Sequence, residues 1–370
     1  MKIAIILGTR PEIIKMSPIV RECERRNYDY FILHSGQHYS YELDKIFFED
    51  LELPYPKYNI DVGSGSHGRE TGKMIIGIEE ILQKENPNIV LVQGDTNTVL
   101  AGSLSASKLN IPVCHVEAGL RSFDKKMPEE INRIVTDHIS EFLFAPTQIA
   151  RNNLLKEGIS DEKILVTGNT IVDALNQNLE ISNRKSNILK KIGIENNKYI
   201  LATFHRQENV DFMKKLEGII KGLTSVAEKS DLSIIIPLHP RTKKRLSEFN
   251  ISIPKSLSIT PPIGYLDFLQ LESNSSLILT DSGGIQEEAC ILGVPCVTLR
   301  ENTERPETIE VGSNILVGTN PENILNGAMK MLGSNVSWKN PFGDGNAGKL
   351  ILKHILFVYG DTYESSFDCV

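Results

Sequence analysis

The stretch at residues 278–296, ILTDSGGIQEEACILGVPC, constrains the fold more than any other part of this chain. It opens in an apolar run, with Leu277 and Leu279, that reads as a buried parallel strand. A turn at Asp281-Ser282-Gly283-Gly284 follows. The next residues read as a helix with Ile285, Ala289 and Leu292 on its apolar side, stopped by Gly293 and Pro295. A strand feeding a glycine turn feeding a helix points free backbone N–H groups at a concave spot, and the helix dipole adds roughly half a positive charge there. That is the chemistry of a phosphate site, to which Ser282 adds a hydroxyl. Glu288 sits four residues past Gly284, where a diphosphate would repel it, so a ribose diol just beyond the diphosphate is its better partner. The alternative is a tight turn that needs two glycines for geometry alone, and this stretch by itself does not separate the two.

Strand-like and helix-like patterns alternate along almost the whole length. Residues 3–7, 31–33, 89–92, 113–116, 142–144 and 164–166 read as short buried strands, with helical segments at 11–26, 69–84, 98–109 and 147–156 between them. That is a doubly wound parallel sheet. The polar stretch 183–198 reads as a linker, and the pattern restarts with strands at 199–203, 232–237, 257–259, 277–280, 296–299 and 315–317. A chain of 370 residues is too long for one ordinary α/β core. The expected fold is therefore α/β, with two Rossmann-like doubly wound domains at 1–180 and 181–370 facing across a cleft. Folds of this kind bind ligands outside the carboxyl ends of their strands.

Composition narrows the partners. The formal net charge of −7 comes with no basic tract, which argues against nucleic acid. No apolar run approaches the ~18 residues of a membrane span. The opening MKIAIILGTRPE reads as a first strand rather than a signal peptide. Five cysteines (Cys23, Cys114, Cys290, Cys296 and Cys369) are odd in number with no C-x-x-C, as expected of buried thiols in a reducing cytoplasm.

The residues that follow each strand carry the chemistry. After the first strand come Gly8-Thr9-Arg10-Pro11-Glu12, with Lys15 on the helix that Pro11 starts. Asp95 follows another strand in GDTN, where capping the next helix is its plainer use. In HVEAGLR, alternation places His115 and Glu117 on one face of the strand end. Glu129 and Glu130 open a helix, where acidic residues favour the dipole anyway, and Arg133 lies four residues beyond Glu129, in ion-pair register. The second half contributes FHRQEN with His205 and Arg206, LHPR with His239, and RENTERPE with Arg305. One such residue is ordinary surface; this many on one edge of two sheets make a cleft.

The second half thus supplies phosphate chemistry, with charge-assisted bonds from Arg305, His205 and Arg206 added to the Gly283-Gly284 helix start. The first half supplies carboxylates. A nucleotide held by one domain, its attached group presented to acids and bases on the other, fits this division. A metal on Asp95, His115 and Glu117 is disfavoured, because ligands from separate loops coincide by chance and nearby cations compete. Ser282 lacks the Gly-x-Ser-x-Gly elbow of a nucleophile.

Taken together, GTRPEIIKMSP, QGDTNT, HVEAGLRS, MPEEINR, HRQEN, TDSGGIQEEA and TERPE cover nearly the whole chain in order. In these motifs the chain resembles the non-hydrolysing UDP-N-acetylglucosamine 2-epimerases, related in fold to GT-B glycosyltransferases. The resemblance implies interconversion of UDP-GlcNAc and UDP-ManNAc with no added cofactor, and a C-terminal helix around residues 350–358 that crosses back to the first domain. It implies Arg10, Lys15, Asp95, Glu117, Glu129 and His205 as the sugar and catalytic set, with Arg133 beside them. It further implies Ser282, Gly283, Gly284, Glu288 and Arg305 as the UDP set, with Phe268 against uracil. Bacterial relatives often bind a second UDP-GlcNAc as activator; Gln37, His38 and Arg206 keep that pattern, and His239 is grouped with them. Family members often carry a second arginine where this chain has Gln207. A homodimer is the family expectation.

Three rivals remain. Hydrolysing 2-epimerases, which release ManNAc and UDP, usually read Gly-Thr-Arg-Ala-Asp where this chain has Pro11-Glu12. Retaining GT-B glycosyltransferases commonly place two glutamates eight apart, and eight residues before Glu288 stands Thr280. A nucleotide-sugar sensor needs the UDP half but not Asp95, Glu117 and Glu129 together.

Overall fold

Consecutive residues of the strand Tyr199–Thr203 enter two different cores. Ile200 and Ala202 join one apolar cluster, Tyr199 and Leu201 another. Alternation across a strand does this when both faces of a sheet are covered, the rule for parallel sheets packed between helices. The structure, a computed structural model, describes residues 1–36, 41–63, 65–196, 198–333 and 337–359. Those residues form two sheets in which every pairing is parallel.

The first sheet contains β1 (Lys2–Leu7), β2 (Asp29–His34), β3 (Tyr58–Asn59), β4 (Ile89–Gln93), β5 (Val113–Val116), β6 (Phe142–Ala145) and β7 (Ile164–Val166), in spatial order β3-β2-β1-β4-β5-β6-β7. The second contains β8 (Tyr199–Thr203), β9 (Ser233–Pro237), β10 (Leu257–Thr260), β11 (Leu277–Thr280), β12 (Cys296–Thr298) and β13 (Asn314–Leu316), in order β10-β9-β8-β11-β12-β13. Both are Rossmann-like and doubly wound. Strand order reverses between β1 and β4 in one and between β8 and β11 in the other, and at such a point the loops part to leave a crevice. The two-residue β3 is the strand that periodicity could not reveal.

The chain divides into two compact units, Met1–Gln177 with Phe342–Val370 and Asn178–Pro341. The division falls inside the helix Thr170–Lys185, and the second unit ends at Pro341 rather than at the end of the chain. The C-terminal helix Ala347–Tyr359 belongs to the first unit, where the backbone N–H groups of Ala347 and Gly348 donate to Asp173 at 3.2 and 3.0 Å. The stretch 183–198 is not the loose linker its polarity suggests. It contains the short helix Ile188–Ile192, whose Ile188 is buried in the second unit while Leu189 and Ile192 pack against the same cluster. Three apolar residues on one side of ILKKI outweigh the polar average.

Cys23, Cys114, Cys290 and Cys296 are buried free thiols; Cys369 lies outside the described residues. Among the described residues no helix is long and apolar enough to cross a membrane.

Candidate active site

In the first unit the carboxyl edge of the sheet is organised around Glu117. Its backbone has φ +68°, a left-handed conformation rare for a residue with a side chain. Such strain persists only where the surroundings over-determine it, and here they do. Lys15 Nζ lies 2.6 Å from both carboxylate oxygens, the Gln93 amide donates to Oε2, and the Asn169 amide donates to Oε1 at 3.4 Å. Lysine, glutamine and asparagine arrive from the first helix, from the end of β4 and from the loop after β7. The carboxylate is buried, but it is fully provided with donors.

The strand-end alternation expected for His115 and Glu117 stops at Val116, because the left-handed turn at Glu117 redirects its side chain. His115 serves the interior instead. Its Nδ1 is 2.6 Å from Asp137 and its Nε2 is 2.8 Å from the carbonyl of Gly94, so neither nitrogen is available to a metal. Among the described residues no group of three His, Cys, Asp or Glu side chains could hold a metal ion.

Asp95 and Arg133 form the second element of this edge. Thr96, not Asp95, caps the helix Asn97–Lys108, accepting from the backbone N–H of Val99. That leaves Asp95 to pair with Arg133, which also pairs with Glu130. The register expected between Glu129 and Arg133 is therefore replaced by a pair three residues apart. Glu130 is buried and accepts from the backbone N–H groups of Ser122 and Phe123, both at 2.9 Å, so it anchors the loop before its helix. Glu129 is half-buried at the second position of the helix Pro128–Ile139. Arg10, the first residue of the helix Arg10–Arg26, holds its guanidinium 5.7 Å from the ring centre of Phe47.

In the second unit the helix Gly283–Leu292 starts directly after β11 with Ser282 as its N-cap, and the Ser282 hydroxyl makes no capping bond. Neither Gly283 nor Gly284 has a positive φ, so turn geometry does not require them. Gly283 is needed for space: a Cβ there would meet Glu304 Oε1 at 2.2 Å. Among the described residues, a Cβ on the exposed Gly284 would meet nothing nearer than the Ser282 hydroxyl at 3.9 Å, so they leave that side of the helix start open.

Glu304 in turn gathers the cations of this edge, with Arg206 at 2.8 Å and Arg300 at 2.7 Å. Burial pushes its carboxyl up, but Arg206 and Arg300 outweigh burial and hold it at about 2. Asp281, fully buried, accepts from the backbone N–H groups of His205 and Arg206 and from the Asn209 amide. It thereby fixes the loop after β8. The ring of His205 stacks on that of His239, centroids 5.1 Å apart, so the two histidines form one feature. Arg305 lies 3.2 Å from Glu287. Phe268 is half-buried on the helix Tyr265–Ser273 and packs, like Ile285, against the apolar cluster that contains Leu271 and Ile278. Glu288 is half-exposed on the helix Gly283–Leu292 and in hydrogen-bonding contact with Glu272. Gln37 and His38 lie outside the described residues.

The family model described as UDP-N-acetylglucosamine 2-epimerase matches residues 21–356. The chain belongs to that family. Its similarity to the UDP-N-acetylglucosamine 2-epimerase of Methanocaldococcus jannaschii is 59% identity over 367 residues, 97% of this chain and 100% of the relative. A crystal structure of the Methanocaldococcus jannaschii UDP-GlcNAc 2-epimerase in complex with UDP-GlcNAc and UDP matches with a TM-score of 0.87, covering 96% of this chain and all of that one. A UDP-2,3-diacetamido-2,3-dideoxy-D-glucuronate 2-epimerase of Pseudomonas aeruginosa is 40% identical over 360 residues, 96% of this chain and 99% of the relative.

Within this family member, sequence reasoning missed the groups that hold Glu117 and the start of the first helix. Gln93 and Asn169 secure Glu117 but read as ordinary amides at strand and helix ends. Glu12 was in view in GTRPE without a role. It is buried and accepts from the backbone N–H groups of Gly8 and Thr9 at 2.7 and 2.6 Å and from the Thr96 hydroxyl at 2.6 Å. Its position three residues after Thr9, ahead of an apolar helix face, is a capping-box signal that could have exposed it.

Proposed function

We propose that this chain interconverts UDP-GlcNAc and UDP-ManNAc without releasing the free sugar. One observation carries the reading. Carboxylates in two pre-paired sets (Glu117 with Lys15, Asp95 with Arg133) lie in the first unit, while the open helix start at Gly284, Arg305 and His205 lie in the second. The second unit is suited to a nucleoside diphosphate and the first to proton transfer.

The reaction chemistry explains why both are needed. The C2 hydrogen of the sugar has no adjacent carbonyl, so it is not acidic enough to be removed directly. Breaking the C1–O bond, with UDP taking the electron pair and C2 losing its proton, gives 2-acetamidoglucal and free UDP. Re-addition of UDP at C1 with a proton delivered to the opposite face of C2 gives the epimer. UDP must be retained throughout, and acid/base groups must serve two faces of the ring. In this reading Asp95, Glu117 and Glu129 are the proton-transfer groups, Lys15 is the charge partner of Glu117, and Arg10 and Arg133 line the sugar side. Ser282, Gly283 and Gly284 receive the diphosphate with Arg305 and His205, Glu288 takes the ribose diol, and Phe268 lies towards uracil. Regulation by a second UDP-GlcNAc, with Gln37, His38, Arg206 and His239 as its contacts, and a homodimer belong to the same proposal.

The test is NMR of the protein with UDP-GlcNAc in D2O. UDP-ManNAc with deuterium at C2 and no accumulating ManNAc is expected. Free ManNAc with stoichiometric UDP would make the enzyme hydrolysing, and absence of exchange would remove the epimerase reading. Because one relative is named for a diacetamido-glucuronate substrate, that UDP-sugar is run in parallel; faster exchange there would move the substrate assignment.

A further inference from the structure

Glu272 is a buried carboxyl with no conventional partner. It stands near the C-terminal end of the helix Tyr265–Ser273 with 0% exposure, and no N–H or hydroxyl donor among the described residues reaches either of its oxygens. An ionised carboxylate left this way is expensive to bury. The group within hydrogen-bonding contact is the carboxyl of Glu288, on the neighbouring helix Gly283–Leu292. The other titratable groups that act on Glu272 are Tyr199 from β8 and Cys296 from β12, neither a cation.

Two carboxyl groups in contact cannot both be ionised without strong repulsion, so the pair shares a proton. Burial, reinforced by Glu288, pushes Glu272 well above the usual carboxylate range, which assigns the proton to Glu272. Glu288, half-exposed, keeps the negative charge. The backbone that carries the donor is anchored. The Glu272 carbonyl accepts from the Ser275 hydroxyl at 2.9 Å and the Ser275 N–H at 3.3 Å, and the Tyr199 hydroxyl donates to the adjacent Leu271 carbonyl at 2.7 Å.

We propose that Glu272 is a positioning residue for nucleotide recognition: its carboxyl O–H donates to Glu288 and holds that carboxylate in the orientation that accepts the ribose diol. The inference rests on the reading of Glu288 as the ribose-binding group. It adds that a neutral acid behind Glu288 fixes its rotamer while leaving one negative charge, not two, near a diphosphate.

The experiment is calorimetric titration of UDP and of 2′-deoxy-UDP into the full-length protein and two variants. Wild type is expected to prefer UDP by about tenfold or more, the worth of a hydrogen bond to a charged group. In Glu272→Leu, which removes the donor, that preference should collapse to within about threefold while 2′-deoxy-UDP affinity changes little. Glu272→Gln retains an N–H donor and should keep the wild-type preference. A Glu272→Leu protein that keeps the preference would overturn the proposal, since a purely structural role would weaken both nucleotides alike. If Glu272→Leu does not fold, a Glu272→Gln protein without the preference overturns it equally. Failure of wild type to bind UDP would instead remove the underlying functional reading, and binding of both nucleotides equally by wild type would remove the role of Glu288.

Discussion

Lys15 Nζ lies 2.6 Å from both carboxylate oxygens of Glu117, 102 residues further along the chain. The first helix and the end of β5 are thus joined by a buried ion pair. Lys15 and Glu117 side chains are only 16% and 4% exposed, so removing one partner strands the other charge away from water. Lys15→Ala and Glu117→Gln should each lower kcat by at least about 100-fold, as expected when a general acid–base group or its charge partner is lost. UDP affinity, assigned to the other unit, should stay within about twofold. Steady-state kinetics beside UDP titration checks this, and a large loss of UDP binding would place Lys15 or Glu117 on the nucleotide instead.

Glu129 and Glu130 are adjacent yet differently employed. Glu130 holds the backbone of Ser122 and Phe123 and pairs with Arg133. Glu130→Ala should therefore cost about 1–2 kcal/mol of stability, as the part-buried N–H groups of Ser122 and Phe123 and the Arg133 guanidinium lose their acceptor. Glu129→Ala should leave the melting temperature nearly unchanged and lower kcat. Thermal unfolding and initial rates of both variants separate the two roles; equal destabilisation would contradict the division.

Gly283 and Gly284 should respond in opposite ways. Gly283→Ala forces a methyl onto Oε1 of Glu304, a carboxylate that Arg206 holds by Oε1 and Arg300 by Oε2, and overpacking of this kind costs about 1–3 kcal/mol. Beyond its own turn, Gly284→Ala meets no described atom closer than 3.9 Å, and in the first turn of a helix the exchange should be neutral or slightly stabilising. Its UDP affinity should nevertheless fall, because the methyl occupies the side left open for phosphate. Unchanged UDP binding by Gly284→Ala would move the diphosphate elsewhere.

Glu12 gives the first unit a pH-dependent stability. Burial raises its carboxyl from 4.5 to about 7, against the lowering effect of hydrogen bonds from Thr96, Gly8 and Thr9. A carboxyl whose folded value is raised stabilises fully below its unfolded value, and that contribution is lost progressively as pH rises towards and through about 7. At roughly 1.4 kcal/mol per unit the loss amounts to about 3 kcal/mol. Glu12→Gln, which cannot ionise, should lack this decline. Urea unfolding of both proteins across that range checks it, and parallel pH profiles would remove Glu12 as the titrating group.

A second UDP-GlcNAc acting as activator predicts a sigmoidal rate against UDP-GlcNAc and no conversion of UDP-ManNAc alone. A hyperbolic curve, with UDP-ManNAc converted unaided, would remove the regulatory assignment of Arg206 and His239.

The two parallel sheets were legible in the chain because a buried strand must be apolar and short, and a strand such as β8 or β11 stands out between helical patterns. The motifs at strand ends were legible for the same reason: Asp95, Glu117, His205 and Ser282 each come within two residues of a strand end. The tertiary structure decided what those residues touch. Periodicity placed Glu117 beside His115, but a left-handed φ of +68° turned it towards Lys15, Gln93 and Asn169. The linker at 183–198 looked polar on average, yet Ile188 found a core that lies far away in sequence. Nothing local distinguishes Gly283, required by Glu304, from Gly284, left open beside Ser282. Glu272 reads as one more helix-surface glutamate until its burial against Glu288 appears. Local periodicity encodes which face of an element is apolar, so the sequence by itself determined the elements, their order and the edge on which chemistry gathers. Hydrogen-bond partners at separations such as 102 residues follow from how elements pack, and no local pattern specifies them; that pairing only the tertiary structure decided.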